Sequence, residues 1–152
     1  MQSRFTLFMC AAMIATGGLV ASSPVVAKPV YTGVFGKTAA GGYDVTSYFT
    51  GNGAPQKGNK AFAVTYAGAV YHFASAANAA KFKANPAKFA PQYGGYCAWA
   101  MGNGYQAPGD PTYYRIVGGK LYLNYNGEVQ DKWSKDIPAL VSKGDSNWAK
   151  LP

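Results

Sequence analysis

The chain has 152 residues, a formal net charge of +8, 49% hydrophobic residues, only 13% charged ones and two cysteines. That length suits one domain with its own core, and the composition excludes a disordered chain, a collagen-like repeat and a disulfide scaffold. The basic residues are spread along the chain without a run, which reads as a solvated surface and argues against the concentrated stripe of a nucleic-acid binder.

One positive charge, Arg4, precedes an uncharged run from Phe5 to about Val20. Small residues follow, and Val25-Val26-Ala27 fits the small-x-small pattern before a cleavage site. Residues 1–27 therefore read as a secretory signal peptide. The run falls short of the ~20 residues a bilayer span requires. No stable membrane insertion is expected after cleavage near Ala27, and the mature chain then begins at Lys28, in the periplasm or secreted. Cys10 lies too early for a lipoprotein and lacks the small residues of a lipobox. It leaves with the leader, and Cys97 becomes the single cysteine of an oxidising compartment: inert in the core, paired to another molecule, or used.

Residues 28–42 read as an N-terminal arm and residues 43–152 as a single domain with a C-terminal helical extension. Val45, Tyr48 and Phe49 are apolar anchors of a short segment in which Asp44 caps a helical turn. Residues 61–73 predict a β-hairpin around Ala67-Gly68. In that register Val64 faces Tyr71 and Phe62 faces Phe73, and the aromatic stripe fills one face. His72 lies on the other face, opposite Ala63.

Ser75 suits the N-cap of a helix over 76–84, and Asn85-Pro86 both ends it and opens another. Gly94-Gly95 implies positive φ or close backbone approach. A second hairpin, residues 112–125, turns at Gly118-Gly119, with Tyr114, Ile116, Leu121 and Leu123 on one face and Arg115 and Tyr122 on the other. Asn126 caps a helix striped by Val129, Trp133 and Ile137. Pro138 breaks it, Gly144 is a C-terminal stop, and Trp148 pins the tail. No P-loop, dinucleotide fingerprint or internal repeat is visible. Two hairpins and several short helices predict an α+β fold, a small antiparallel sheet with helices packed on one face.

Tyr71, His72 and Ser75, with Asn85-Pro86-Ala87-Lys88-Phe89, resemble the core of the YHS domain over about 44–89. The blocks at 90–98 and 120–126, with Asp136-Ile137-Pro138 and Asn147-Trp148, resemble a subgroup of exported bacterial proteins that carry it. Metal-handling members of the family place cysteines after the aromatic strand and at the start of the helix. The matching positions here are Ala74 and Ala77, so the resemblance does not supply that thiolate site.

His72 and Cys97, with Met101 as a third donor, form the only soft-ligand set, and imidazole, thiolate and thioether together suit copper. A histidine on a strand is more commonly a hydrogen-bonded surface residue, and a lone cysteine among small residues more commonly fills core. The enzymatic alternative makes Cys97 a nucleophile and His72 its base, oriented by Asp44 or Asp110. The 12 tyrosines would suit a sugar or aromatic ligand, although alternation within two hairpins already accounts for many of them. The sequence thus points to an exported, non-enzymatic binding module connected with soft-metal handling. Its rivals are a thiol enzyme and a purely structural or interaction domain. No nucleic acid is expected as partner, and the sequence identifies neither a partner protein nor a small ligand.

Overall fold

A computed structural model of the chain describes residues 28–34 and 36–152; the expected leader lies outside them. The fold is α+β, as the sequence predicts. Strands β1 (Tyr43–Asp44) and β2 (Gln56–Lys57) pair first. The hairpin β3 (Asn59–Tyr66) and β4 (Ala69–Phe73) follows, then helices α1 (Ala76–Ala84), α2 (Pro86–Phe89) and α3 (Ala98–Gly102). A second hairpin, β5 (Asp110–Val117) and β6 (Lys120–Asn124), leads to α4 (Gly127–Ser134) and α5 (Ile137–Lys150). Each pair is its own antiparallel two-stranded sheet. No helix among the described residues is long and apolar enough to cross a membrane.

The local signals act as expected at most boundaries. Ser75 Oγ accepts the Asn78 N–H, Asn85 Oδ1 the Lys88 N–H, and Asn126 Oδ1 the Val129 N–H. Each satisfies an N–H that the first helical turn leaves unpaired. Val64 faces Tyr71 and Ala63 faces His72.

Several expectations fail in the packed structure. A register shift between Asn59 and Ala63 places Asn59, not Phe62, opposite Phe73. The arm gives way early: Ala39 and Ala40 are buried in a tight 3-10 turn over Ala39–Gly42. Gly144 does not stop a helix but lies inside α5, where an added Cβ would stand 2.6 Å from the Tyr93 hydroxyl. The glycine is there to let Tyr93 approach the helix. Lys28 is tied to the end of α5, its Nζ donating to the Trp148 and Leu151 carbonyls at 2.7 and 3.1 Å. A cation at a helix C-terminus completes carbonyls that have no partner within the helix.

The chain repeats its own architecture. A tight turn through positive φ, Ala40 to Gly42 in one half and Tyr93 to Gly95 in the other, delivers Tyr43-Asp44 and Tyr96-Cys97 respectively. Tyr43 then pairs with Lys57, and Tyr96 with Pro108. A bulged hairpin follows in both halves, with Asn59 opposite Phe73 and Asp110 opposite Asn124 at the bulge. The side chains of Asn59 and Asp110 each accept the N–H two residues on. Next comes a side-chain-capped helix carrying a wholly buried aromatic, Phe82 or Trp133. A second helix is capped by Asn85 or Asp136. Gly58 lies against His72 as Gly109 lies against Leu123, each too close for a Cβ. The repeat is one of backbone architecture rather than of residue sequence. Few identities survive between the halves (among them Gly-Gly-Tyr, Gly58 with Gly109, Gly68 with Gly119, Tyr71 with Tyr122 and Lys81 with Lys132), because the fold constrains turn geometry, caps and burial more than residue identity.

The core has two parts. Tyr48, Tyr71, Phe73, Phe82 and Phe89 fill the first with Leu121 and Leu123; Tyr93, Met101, Tyr122 and Trp133 fill the second. Burial pushes the phenols of Tyr48, Tyr71 and Tyr93 far above the ordinary tyrosine range, with the Asp145 hydrogen bond adding to the effect at Tyr93. The unfolded chain ionises them near pH 10. Their contribution to stability is therefore full below about pH 10 and is lost as pH rises beyond it. The last tyrosines should ionise together with loss of the far-UV circular dichroism signal, in one alkaline transition. Complete tyrosinate absorbance with an intact helical signal would contradict this.

Candidate ligand-binding site at Cys97

Asp44 and Cys97 occupy corresponding places in the two halves, and their surroundings differ. Asp44 is fully buried. Its Oδ1 accepts the Thr46 N–H and hydroxyl at 2.9 and 2.7 Å; its Oδ2 accepts the Ala74 N–H and the Asn78 amide at 2.9 and 2.7 Å. Four donors thus satisfy one carboxylate, and the network ties β1 to the end of β4 and the start of α1.

Cys97 is equally buried, and its thiol donates weakly to Asn124 Oδ1 at 3.8 Å. The same oxygen accepts the Trp99 N–H at 3.2 Å, the bond that Asp44 Oδ1 makes in the first half to the residue two further on. Asn124 Nδ2 is buried with no hydrogen-bond partner among the described residues. Beside the thiol is an open cleft of about 150 Å³ lined by Trp99, Tyr105, Tyr125 and Val129 together with Ala100 and Ala107. Trp99 and Tyr105 meet edge to face, ring centres 6.2 Å apart. Tyr105 and Tyr125 are half exposed, 49% and 52%, and so stand at the mouth.

The residues singled out from the sequence have different surroundings. His72 is half-buried on β4, where a Cβ on Gly42 would lie 3.5 Å from its Nδ1. The residue corresponding to His72 beside Cys97 is Leu123, which bridges to Cys97 directly. Met101 is joined to Cys97 along one helical turn, its N–H donating to the Cys97 carbonyl at 3.0 Å, and is buried in the second core part with Tyr93 and Trp133. Asp44 is committed to its own network, and Asp110 Oδ1 accepts the Thr112 N–H and hydroxyl. Among the described residues, no group of three or more His, Cys, Asp and Glu side chains is placed to hold a metal ion.

The first half holds the aromatic hairpin, with Tyr71 in the core and Ser75 capping α1. Residues 52–93 match the YHS domain. No curated protein and no solved structure matches the chain. The YHS match takes in Tyr71, His72, Ser75 and Asn85-Pro86, but begins after Asp44 and ends before Cys97. The cavity therefore lies wholly outside the YHS segment, in the half that repeats its architecture.

Asn124, Tyr105, Tyr125 and Val129 were not legible as site residues. Tyr125 and Val129 look like hairpin end and helix stripe. Their correspondence follows from the matching register of the two hairpins: Tyr125 and Val129 stand where Ala74 and Asn78 serve Asp44.

Proposed function

We propose that this is an exported, non-enzymatic binding module that takes its ligand in the cavity beside Cys97. The thiol's partner carries the reading. A carboxamide oxygen accepts from Cys97, and a carboxamide is no base, so the thiol lacks the adjacent proton acceptor that nucleophilic catalysis requires. The cavity wall is aromatic and aliphatic around a single thiol, a lining that suits recognition by shape and apolar contact. Export is supported by the Arg4-led apolar run, by Val25-Val26-Ala27, and by Lys28. A chain cut after Ala27 retains the residue that fastens its start to α5.

Two measurements test the reading. The intact mass of the protein from its native host should correspond to a chain beginning at Lys28; a full-length mass in the soluble fraction would remove export. Cys97 should react slowly with a thiol reagent in the folded protein and readily once unfolded. Rapid modification of the native protein, at the rate of an activated thiolate, would replace the binding module with the thiol enzyme.

A further inference from the structure

We infer that the Cys97 cavity is built for one flat, uncharged ring, and that its ligand is a monocyclic aromatic molecule. This rests on the binding-module reading and names what fills the site.

The comparison of the two halves shows how the space arises. In the first half the region is filled by the Asp44 carboxylate with Thr46, Ala74 and Asn78 bonded to it. The corresponding residues in the second half are Cys97, Trp99, Tyr125 and Val129, and all four line the cavity. The acid has become a thiol, a weak donor, and its amide partner has become an aliphatic side chain. No residue on this wall can renew the polar network, so the space that remains is apolar.

Its size selects the ligand. An apolar space of roughly 150 Å³ accepts a benzene-sized guest, and the volume here is about 150 Å³, in a cleft that opens to water between Tyr105 and Tyr125. Trp99, Tyr105 and Tyr125 offer ring faces and edges, the arrangement in which aromatic pairs gain beyond simple burial. None of the lining residues is charged, so an ionic ligand would lose hydration without compensation. A ring can carry a small polar substituent only toward the mouth, where the half-exposed tyrosines meet water. A metal ion would find one thiol and no other soft donor in the lining.

The test is a titration of the exported chain with toluene, followed by amide NMR, with Cu(I) titrated in parallel. Toluene should give saturable shifts confined to the amides around Cys97, Trp99, Ala100 and Ala107. Ala107→Leu fills the cavity and should abolish them. Val129→Asn, which restores the first half's polar residue with little change in volume, should weaken binding even if the leucine variant fails to fold. Shifts that are absent, scattered over the surface, or unchanged in Val129→Asn would overturn the inference. A Cys97-dependent response to Cu(I) without one to toluene would also overturn the aromatic ligand, but leave the binding module standing. Response to neither probe would remove both.

Discussion

Trp133→Ala is expected to destabilise the protein by about 4 kcal/mol, the cost of removing a wholly buried indole and leaving a cavity behind. Trp133 has no exposed surface and packs at 5.3 Å against the Tyr122 ring. Among the described residues its Nε1 has no hydrogen-bond partner, so the loss is chiefly one of packing. The effect is large beside the 5–15 kcal/mol typical of a whole domain, on the order of a third of it. Phe82 occupies the corresponding place in the first half and is equally buried, and Phe82→Ala should cost a comparable amount. Denaturant unfolding of both variants checks the pair. A loss below about 1 kcal/mol for Trp133→Ala, the scale of a surface change, would mean that α4 does not anchor the second half.

Asp44→Ala should destabilise by on the order of 3 kcal/mol, through a different mechanism. Here the lost side chain strands donors: the Thr46 N–H and hydroxyl are buried, and the Ala74 N–H and Asn78 amide partly so. A buried donor left unsatisfied costs about 1–3 kcal/mol. Asp44→Asn keeps one acceptor oxygen but turns an NH₂ toward the other donors, so it should fall between wild type and alanine. Cys97→Ala, at the matching position of the second half, breaks only the weak thiol contact to Asn124 and should cost clearly less than Asp44→Ala. Equal losses at the two positions would mean that Asp44 owes its place to volume rather than to its hydrogen bonds.

Local chemistry was legible in the sequence because it is read at short range. Ser75, Asn85 and Asn126 cap helices as their side chains dictate, and Pro138 sits in the first turn of α5. The turns at Ala67-Gly68 and Gly118-Gly119 adopt the positive φ that tight hairpins require. The family resemblance rests on the same short-range pattern of hairpin and capped helix. Gly144 misled for the opposite reason: glycine after a helical pattern signals a stop, but only packing can reveal that Tyr93 needs its place.

By itself the sequence determined the α+β class, the two hairpins, the helix caps and the YHS-like segment, since each depends on side-chain periodicity or on a few neighbouring residues. Tertiary structure alone decided the bulge that pairs Phe73 with Asn59 in place of Phe62, the repeated architecture and the cavity beside Cys97. A bulge is set by how strands are pinned at both ends. A repeat maintained by burial and turn geometry leaves few identities to count. A cavity is bounded by residues as distant along the chain as Cys97, Tyr105 and Val129, whose contact no local pattern encodes.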